Sequence, residues 1–116
     1  MPDGSEVKMN ASSIDELTGK VASLRRTGDK FELAKGLRDL GKFERRFPSK
    51  RGDFLTHYRE AVELFRSCDD PLRLAHTVRH LGNIYHEDGN MIAAEACLSE
   101  SLEIYSNCDE IGRAHV

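Results

Sequence analysis

Leu33-Ala34-Lys35-Gly36-Leu37-Arg38-Asp39-Leu40-Gly41 and Leu74-Ala75-His76-Thr77-Val78-Arg79-His80-Leu81-Gly82 share a Leu-Ala opening, a central Arg and a Leu-Gly close, 41 residues apart. A self-similar period between about 20 and 50 residues decides the architecture before any local propensity matters. The recurrence extends outward from this stretch. Ala61-Val62-Glu63-Leu64-Phe65-Arg66-Ser67-Cys68-Asp69 matches Ser101-Leu102-Glu103-Ile104-Tyr105-Ser106-Asn107-Cys108-Asp109 at a shift of 40. Val21 to Asp29 repeats the same closing segment another 40 residues back, and Ala114-His115 echoes Ala75-His76. The chain thus holds a half repeat at 13–29, whole repeats at 30–70 and 71–109, and the start of another at 110–116.

Each half of the repeat has helical spacing. Ala75, Val78, Leu81, Gly82 and Tyr85 recur at steps of three and four, as do Ala94, Leu98, Ser101 and Tyr105, and as do Phe54, Tyr58, Ala61 and Phe65. Breakers fall at the joints: Pro48 with Gly52, Asp70-Pro71, and Asp88-Gly89-Asn90. A capping box from Ser13 to Glu16 opens a first helix with Ile14, Leu17, Val21 and Leu24 on one side. These signals predict helices at 13–27, 30–47, 53–67, 71–88, 90–106 and from 110 onward, with no strand. Gly41 and Gly82 stand mid-helix, where each lowers helix propensity by about 1 kcal/mol; that is tolerable if a neighbouring helix has to come close. Residues 1–12, with Pro2, Gly4 and no apolar period, are expected to be loosely ordered.

Composition narrows the function. The chain has 116 residues, 39% hydrophobic and 32% charged, enough for one domain. A net charge of −3 and a pI near 5.9 argue against a general nucleic-acid binder. RNA binding by a basic face would also need stacking aromatics on that face, and here they fall on the packing side. No apolar run approaches bilayer length and no secretory signal is present, so a cytoplasmic location is expected. Cys68, Cys97 and Cys108 form an odd set without a C-x-x-C pair, which suits reduced, packed thiols.

Leu81-Gly82-Asn83-Ile84-Tyr85, followed by Gly89, Ala94 and Leu98, resembles the tetratricopeptide repeat, whose pattern is Leu-Gly-x-x-Tyr, a Gly near the turn and a small Ala in the second helix. The period near 40 and the Cys-Asp-x-x-x-x-Ala endings are similar to the longer-repeat branch of kinesin light chains and Leu-Gly-Asn-type scaffolds. The resemblance spans residues 14–116. The first repeat departs from it, with Glu44 in place of Tyr and Phe54 in place of a small Ala. The resemblance implies an all-α, right-handed solenoid of antiparallel helix pairs, about two and a half repeats long. It also implies a concave groove lined by the first helix of each pair and a role as an interaction scaffold.

Removing the apolar stripe leaves Lys35, Arg38, Asp39, Lys42, Arg45 and Arg46 on the first such helix. On the second it leaves His76, Arg79, His80, Asn83, His86 and Glu87. Six Lys and Arg stand there against two Asp and Glu, a local charge of +4 in a chain of −3. In the resemblance, a basic residue followed four later by Asn holds a peptide carboxylate or backbone; Arg79 and Asn83 match it, and Arg38 with Lys42 is its basic counterpart. The expected site is therefore a basic groove of Lys35, Arg38, Lys42, Arg45, His76, Arg79, His80, Asn83 and His86 for an acidic peptide or protein. A charged helix face with no ligand is the plain alternative.

Other motifs are weaker. His76 and His80 sit one helical turn apart, yet no third metal donor is evident, so neither metal nor other cofactor is expected. Arg51-Gly52-Asp53 lies in a joint, where turn and cap roles explain Gly and Asp. No nucleophile with its base and no phosphate loop is visible, so no enzyme is expected. The competing reading is a regulatory or sensory segment of a larger signalling or transcription-regulating protein. Solenoid repeats bury their apolar faces on neighbours, so the outer face of the last repeat needs cover, from a longer array or from a homodimer through that edge.

Overall fold

The computed structural model describes the backbone of residues 11–47 and 51–114, all of it helix and short turn. Residues 1–10, most of the segment expected to be loose, lie outside the described residues, as does Pro48. Five helices follow in order: α1 (Ala11–Thr27), α2 (Lys30–Arg46), α3 (Arg51–Ser67), α4 (Pro71–Glu87) and α5 (Met91–Ala114). Among the described residues no helix is long and apolar enough to cross a membrane, and none of the side chains is in a strand.

The ends of the helices follow from local chemistry. Asp29 caps α2 by accepting from the Glu32 amide at 3.0 Å, Asp70 caps α4 from Arg73 N at 3.1 Å, and Asn90 caps α5 from Ala93 N at 3.2 Å. Each supplies an oxygen to an amide that has no partner within its own helix. Gly28 and Gly89 take φ of 80° and 81° between helices, a conformation that side chains disfavour. Pro71 opens α4, where its missing N–H is no loss.

Three boundaries differ from the sequence reading by more than one residue. Helix α1 starts at Ala11, so Ser13 lies inside its first turn and not at its cap. Helix α3 starts at Arg51, which makes Asp53 a first-turn acid favoured by the helix dipole instead of an N-cap. Helix α5 runs unbroken through 107–110, where a sixth helix was expected to begin. The cause is visible one repeat earlier. Cys68-Asp69-Asp70-Pro71 ends a helix because Pro71 cannot continue it, whereas Ile111 stands at the matching place after Cys108-Asp109-Glu110.

The chain divides into two compact units, Met1–Glu60 and Ala61–Val116, with the division inside α3. The first has α1 packed on α2, with a core from Ile14, Val21, Leu33, Ala34, Leu37, Leu40, Phe43, Phe54 and Tyr58. Gly36 faces α1, where a Cβ would make ordinary contact at 3.4 Å with Leu24 and Val21. Gly41 lets α3 approach more closely still, since a Cβ there would lie 2.8 Å from the Tyr58 ring and 3.3 Å from the Phe54 carbonyl oxygen.

In the second unit α4 packs along α5, with Ala61, Val62, Phe65, Leu74, Ala75, Val78, Leu81, Ile84, Tyr85 and Ala94 buried. Gly82 does here what Gly41 does in the first unit. A Cβ on it would lie 3.1 Å from both Cys97 and Leu98. The mid-helix glycines thus sit where helix meets helix, and closer packing offsets the loss of propensity.

Burial in α2 falls on Leu33, Ala34, Gly36, Leu37, Leu40, Gly41, Phe43 and Glu44. In α4 it falls on Leu74, Ala75, Thr77, Val78, Leu81, Gly82, Ile84 and Tyr85, the same eight positions under the 41-residue shift. Ion pairs recur as well. Arg25 of α1 grips Glu60 of α3 through two bonds of 2.5 and 2.7 Å, and Arg66 of α3 grips Glu100 of α5 at 2.5 and 3.4 Å.

Candidate peptide-binding faces

The proposed site residues fall on two helices, one in each unit. On α2, Lys35, Arg38, Lys42 and Arg45 are all half-buried, on the side away from the Leu33, Leu37 and Leu40 core. Lys35 Nζ lies 3.3 Å from Glu32 Oε1 and 5.0 Å above the Phe31 ring. The Arg38 guanidinium meets Asp39 Oδ1 through Nε and Nη2, both at 3.3 Å. The cations are therefore partly countered by Glu32 and Asp39, and Arg46 is exposed beside them.

Tyr58 of α3, 1% exposed, packs against Gly41 of α2. Burial pushes its phenol up to about 12, while the nearby Arg45 and Arg38 guanidinium groups pull the other way and Asp39 adds to the rise.

On α4, Arg79, Asn83 and His86 are exposed, and His76 and His80 are half-buried. Arg79 Nη2 donates to His76 Nδ1 at 3.4 Å, which requires that nitrogen to be unprotonated. The His76 and His80 rings meet edge to face at 4.7 Å between centroids. Among the described residues no group of three His, Cys, Asp or Glu side chains is placed to hold a metal ion. Glu87 is exposed at the end of the helix. This face offers imidazole, guanidinium and amide groups, a hydrogen-bonding surface of weaker charge than that of α2.

One polar element escaped the sequence reading. Glu44, only 4% exposed, shares a hydrogen bond of 2.5 Å with His57 Nδ1 of α3. Sequence reading had marked Glu44 only as a departure from the expected Tyr. The missed signal was that two departures coincide: the repeat places Tyr85 opposite Glu44 and Cys97 opposite His57. The first unit thus replaces a Tyr and Cys by a hydrogen bond between Glu44 and His57.

Cys68, Cys97 and Cys108 are free thiols, each half-buried. No family model matches the chain, and no curated protein or solved structure matches it either.

Proposed function

We propose that the chain is a protein-interaction module of tetratricopeptide type, a right-handed solenoid of antiparallel helix pairs whose first helices present a basic groove to an acidic peptide or protein. The observation that carries this reading is the identity of the eight buried positions in α2 and α4 under a single shift. Independent helices of a bundle have no reason to bury the same register, whereas stacked repeats do. The recurring Arg-to-Glu bridges from α1 to α3 and from α3 to α5 point the same way.

Given such stacking, the surfaces of α2 and α4 left free of core residues form the groove. Lys35, Arg38, Lys42 and Arg45 supply charge; Arg79 with Asn83, and His76, His80 and His86, supply directed hydrogen bonds. The work is binding and not catalysis, in the reducing cytoplasm where three thiols stay reduced.

The test is the double reversal Arg38→Glu with Arg79→Glu, assayed against acidic and neutral peptide arrays. Selective loss of acidic peptides supports the groove. An unchanged binding profile removes it.

A further inference from the structure

Helix α5 carries a line of residues whose counterparts one repeat earlier are covered. Met91, Glu95, Leu98, Leu102 and Tyr105 recur at steps of four and three, so they share one flank of the helix. Forty residues earlier stand Tyr58, Val62 and Phe65, with exposures of 1%, 5% and 0%. Leu102 is 69% exposed and Met91 53%, with Leu98 and Tyr105 half-buried. Exposed Met91 and Leu102 with half-covered Leu98 and Tyr105 on one flank mark a contact surface.

Charge decides what fits it. Exposed Glu95 lies in the line and exposed Glu103 beside it, and α5 has no Lys or Arg from Met91 to Gly112. Pairing α5 with another α5 would set these carboxylates against one another. The rest of the chain offers the complement. Residues 61–116 have four Lys and Arg against ten Asp and Glu, while residues 1–60 have 13 against ten.

Within that basic half, Phe31, Lys35, Arg38, Lys42 and Arg45 of α2 repeat the same four-three-four-three steps, all of them half-buried. Their aliphatic stems and the Phe31 ring can cover Leu98, Leu102 and Tyr105 while the charged ends meet Glu95 and Glu103.

We propose that α5 of one copy docks on α2 of a second copy, and that the reciprocal contact closes a twofold dimer. This rests on the reading of α2 as a face for acidic partners, and names one such partner as the acidic, apolar helix of the chain itself.

Sedimentation velocity on the 116-residue chain tests it. The expected result is a species of twice 13.1 kDa at micromolar concentration, dissociating as ionic strength rises from about 0.05 to 0.5 M. Leu102→Glu should weaken the dimer at least about tenfold. Glu95→Lys with Glu103→Lys, and separately Lys42→Glu with Arg45→Glu, should do the same. Mixing these two charge-reversed proteins should restore the dimer, since every contact then pairs opposite signs.

Circular dichroism of each variant verifies its helix content; if Lys42→Glu with Arg45→Glu has lost helix, Lys42→Gln with Arg45→Gln replaces it. A wild-type monomer, a dimer indifferent to the α2 reversals, or a mixture that does not reassociate would each overturn the proposal. A monomer that still captures acidic peptides through Arg38 would leave the groove standing and remove only the dimer.

Discussion

Helices α2 and α4 bury the same eight positions but fill only four of them alike. Leu, Ala, Leu and Gly recur as Leu33/Leu74, Ala34/Ala75, Leu40/Leu81 and Gly41/Gly82. The other four differ: Gly36 against Thr77, Leu37 against Val78, Phe43 against Ile84, and Glu44 against Tyr85. The shared residues set how near the next helix lies, and the variable ones fill what space remains. Thr77 is accommodated because its hydroxyl donates back to the Arg73 carbonyl at 2.8 Å, and Glu44 because His57 meets it. A buried polar group is tolerable once its partner is present.

The largest effect should come from the residue that each glycine admits. Tyr58 is fully buried against Gly41, whereas Leu98 against Gly82 is half-exposed. Tyr58→Ala should cost about 4 kcal/mol in urea unfolding and Leu98→Ala about 1–2 kcal/mol. Equal losses would mean that the two junctions are packed alike.

Next comes the polar pair that only the first unit has. His57→Ala leaves the Glu44 carboxylate buried without this donor and should cost about 2 kcal/mol. Installing the second unit's pair, Glu44→Tyr with His57→Cys, should recover much of that loss, and the double-mutant cycle should show coupling above about 0.5 kcal/mol. Additive single effects would show that the two side chains do not act together.

A methyl group at each glycine sharpens the comparison. At Gly41 it meets an aromatic ring at 2.8 Å and backbone behind it, so Gly41→Ala should cost about 2 kcal/mol despite a gain in helix propensity. At Gly82 it meets the Cys97 and Leu98 side chains at 3.1 Å, which can shift, so Gly82→Ala should stay within about 1 kcal/mol of wild type. A reversed order would place the tighter junction in the second unit.

The smallest effects are electrostatic. The hydrogen bond from Arg25 is the main force holding the Glu60 carboxyl below its ordinary 4.5, against burial. Burial raises Asp70, but the Arg73 amide and guanidinium together outweigh it and hold that carboxyl below 3.8. Both lowered groups stabilise the fold above their ordinary values, and that part is lost as pH falls through the lowered ones. Exposure keeps each below about 1 kcal/mol, so acid melts of Glu60→Gln and Asp70→Asn should run slightly flatter than wild type.

Tyr58 acts at the other end of the scale. Its raised phenol favours the folded state only while the proton is kept, so stability should fall as pH climbs from about 10 towards 12. Tyr58→Phe should remove that slope, and a slope that persists would assign alkaline unfolding to other groups.

The sequence made three features legible: the helices, the core face and the contact role of the mid-helix glycines. Each depends on residues within one or two turns, or on a motif that occurs twice. The Arg25–Glu60 and Arg66–Glu100 pairs were not legible, because they join residues 35 and 34 apart on helices brought together only by packing. The arginines are 41 apart and the glutamates 40, so no single shift aligns both. The unbroken α5 was missed for another reason. A recurring Cys-Asp suggested a joint, but Pro71 does the breaking and Ile111 does not. Of the candidate site, the basic character of α2 and the presence of Asp39 on that face were legible, while the Glu32 counter-charge and the buried Tyr58 against Gly41 needed coordinates.

Two helix junctions share one plan: a glycine on the first helix is set against a large side chain on the second, Gly41 against Tyr58 and Gly82 against Leu98. Nuclear Overhauser contacts measure it directly. Cross-peaks are expected between the Gly41 α-protons and the Tyr58 ring, and between the Gly82 α-protons and the Leu98 methyl groups. Absence of either set in a folded, assigned spectrum would contradict the repeat.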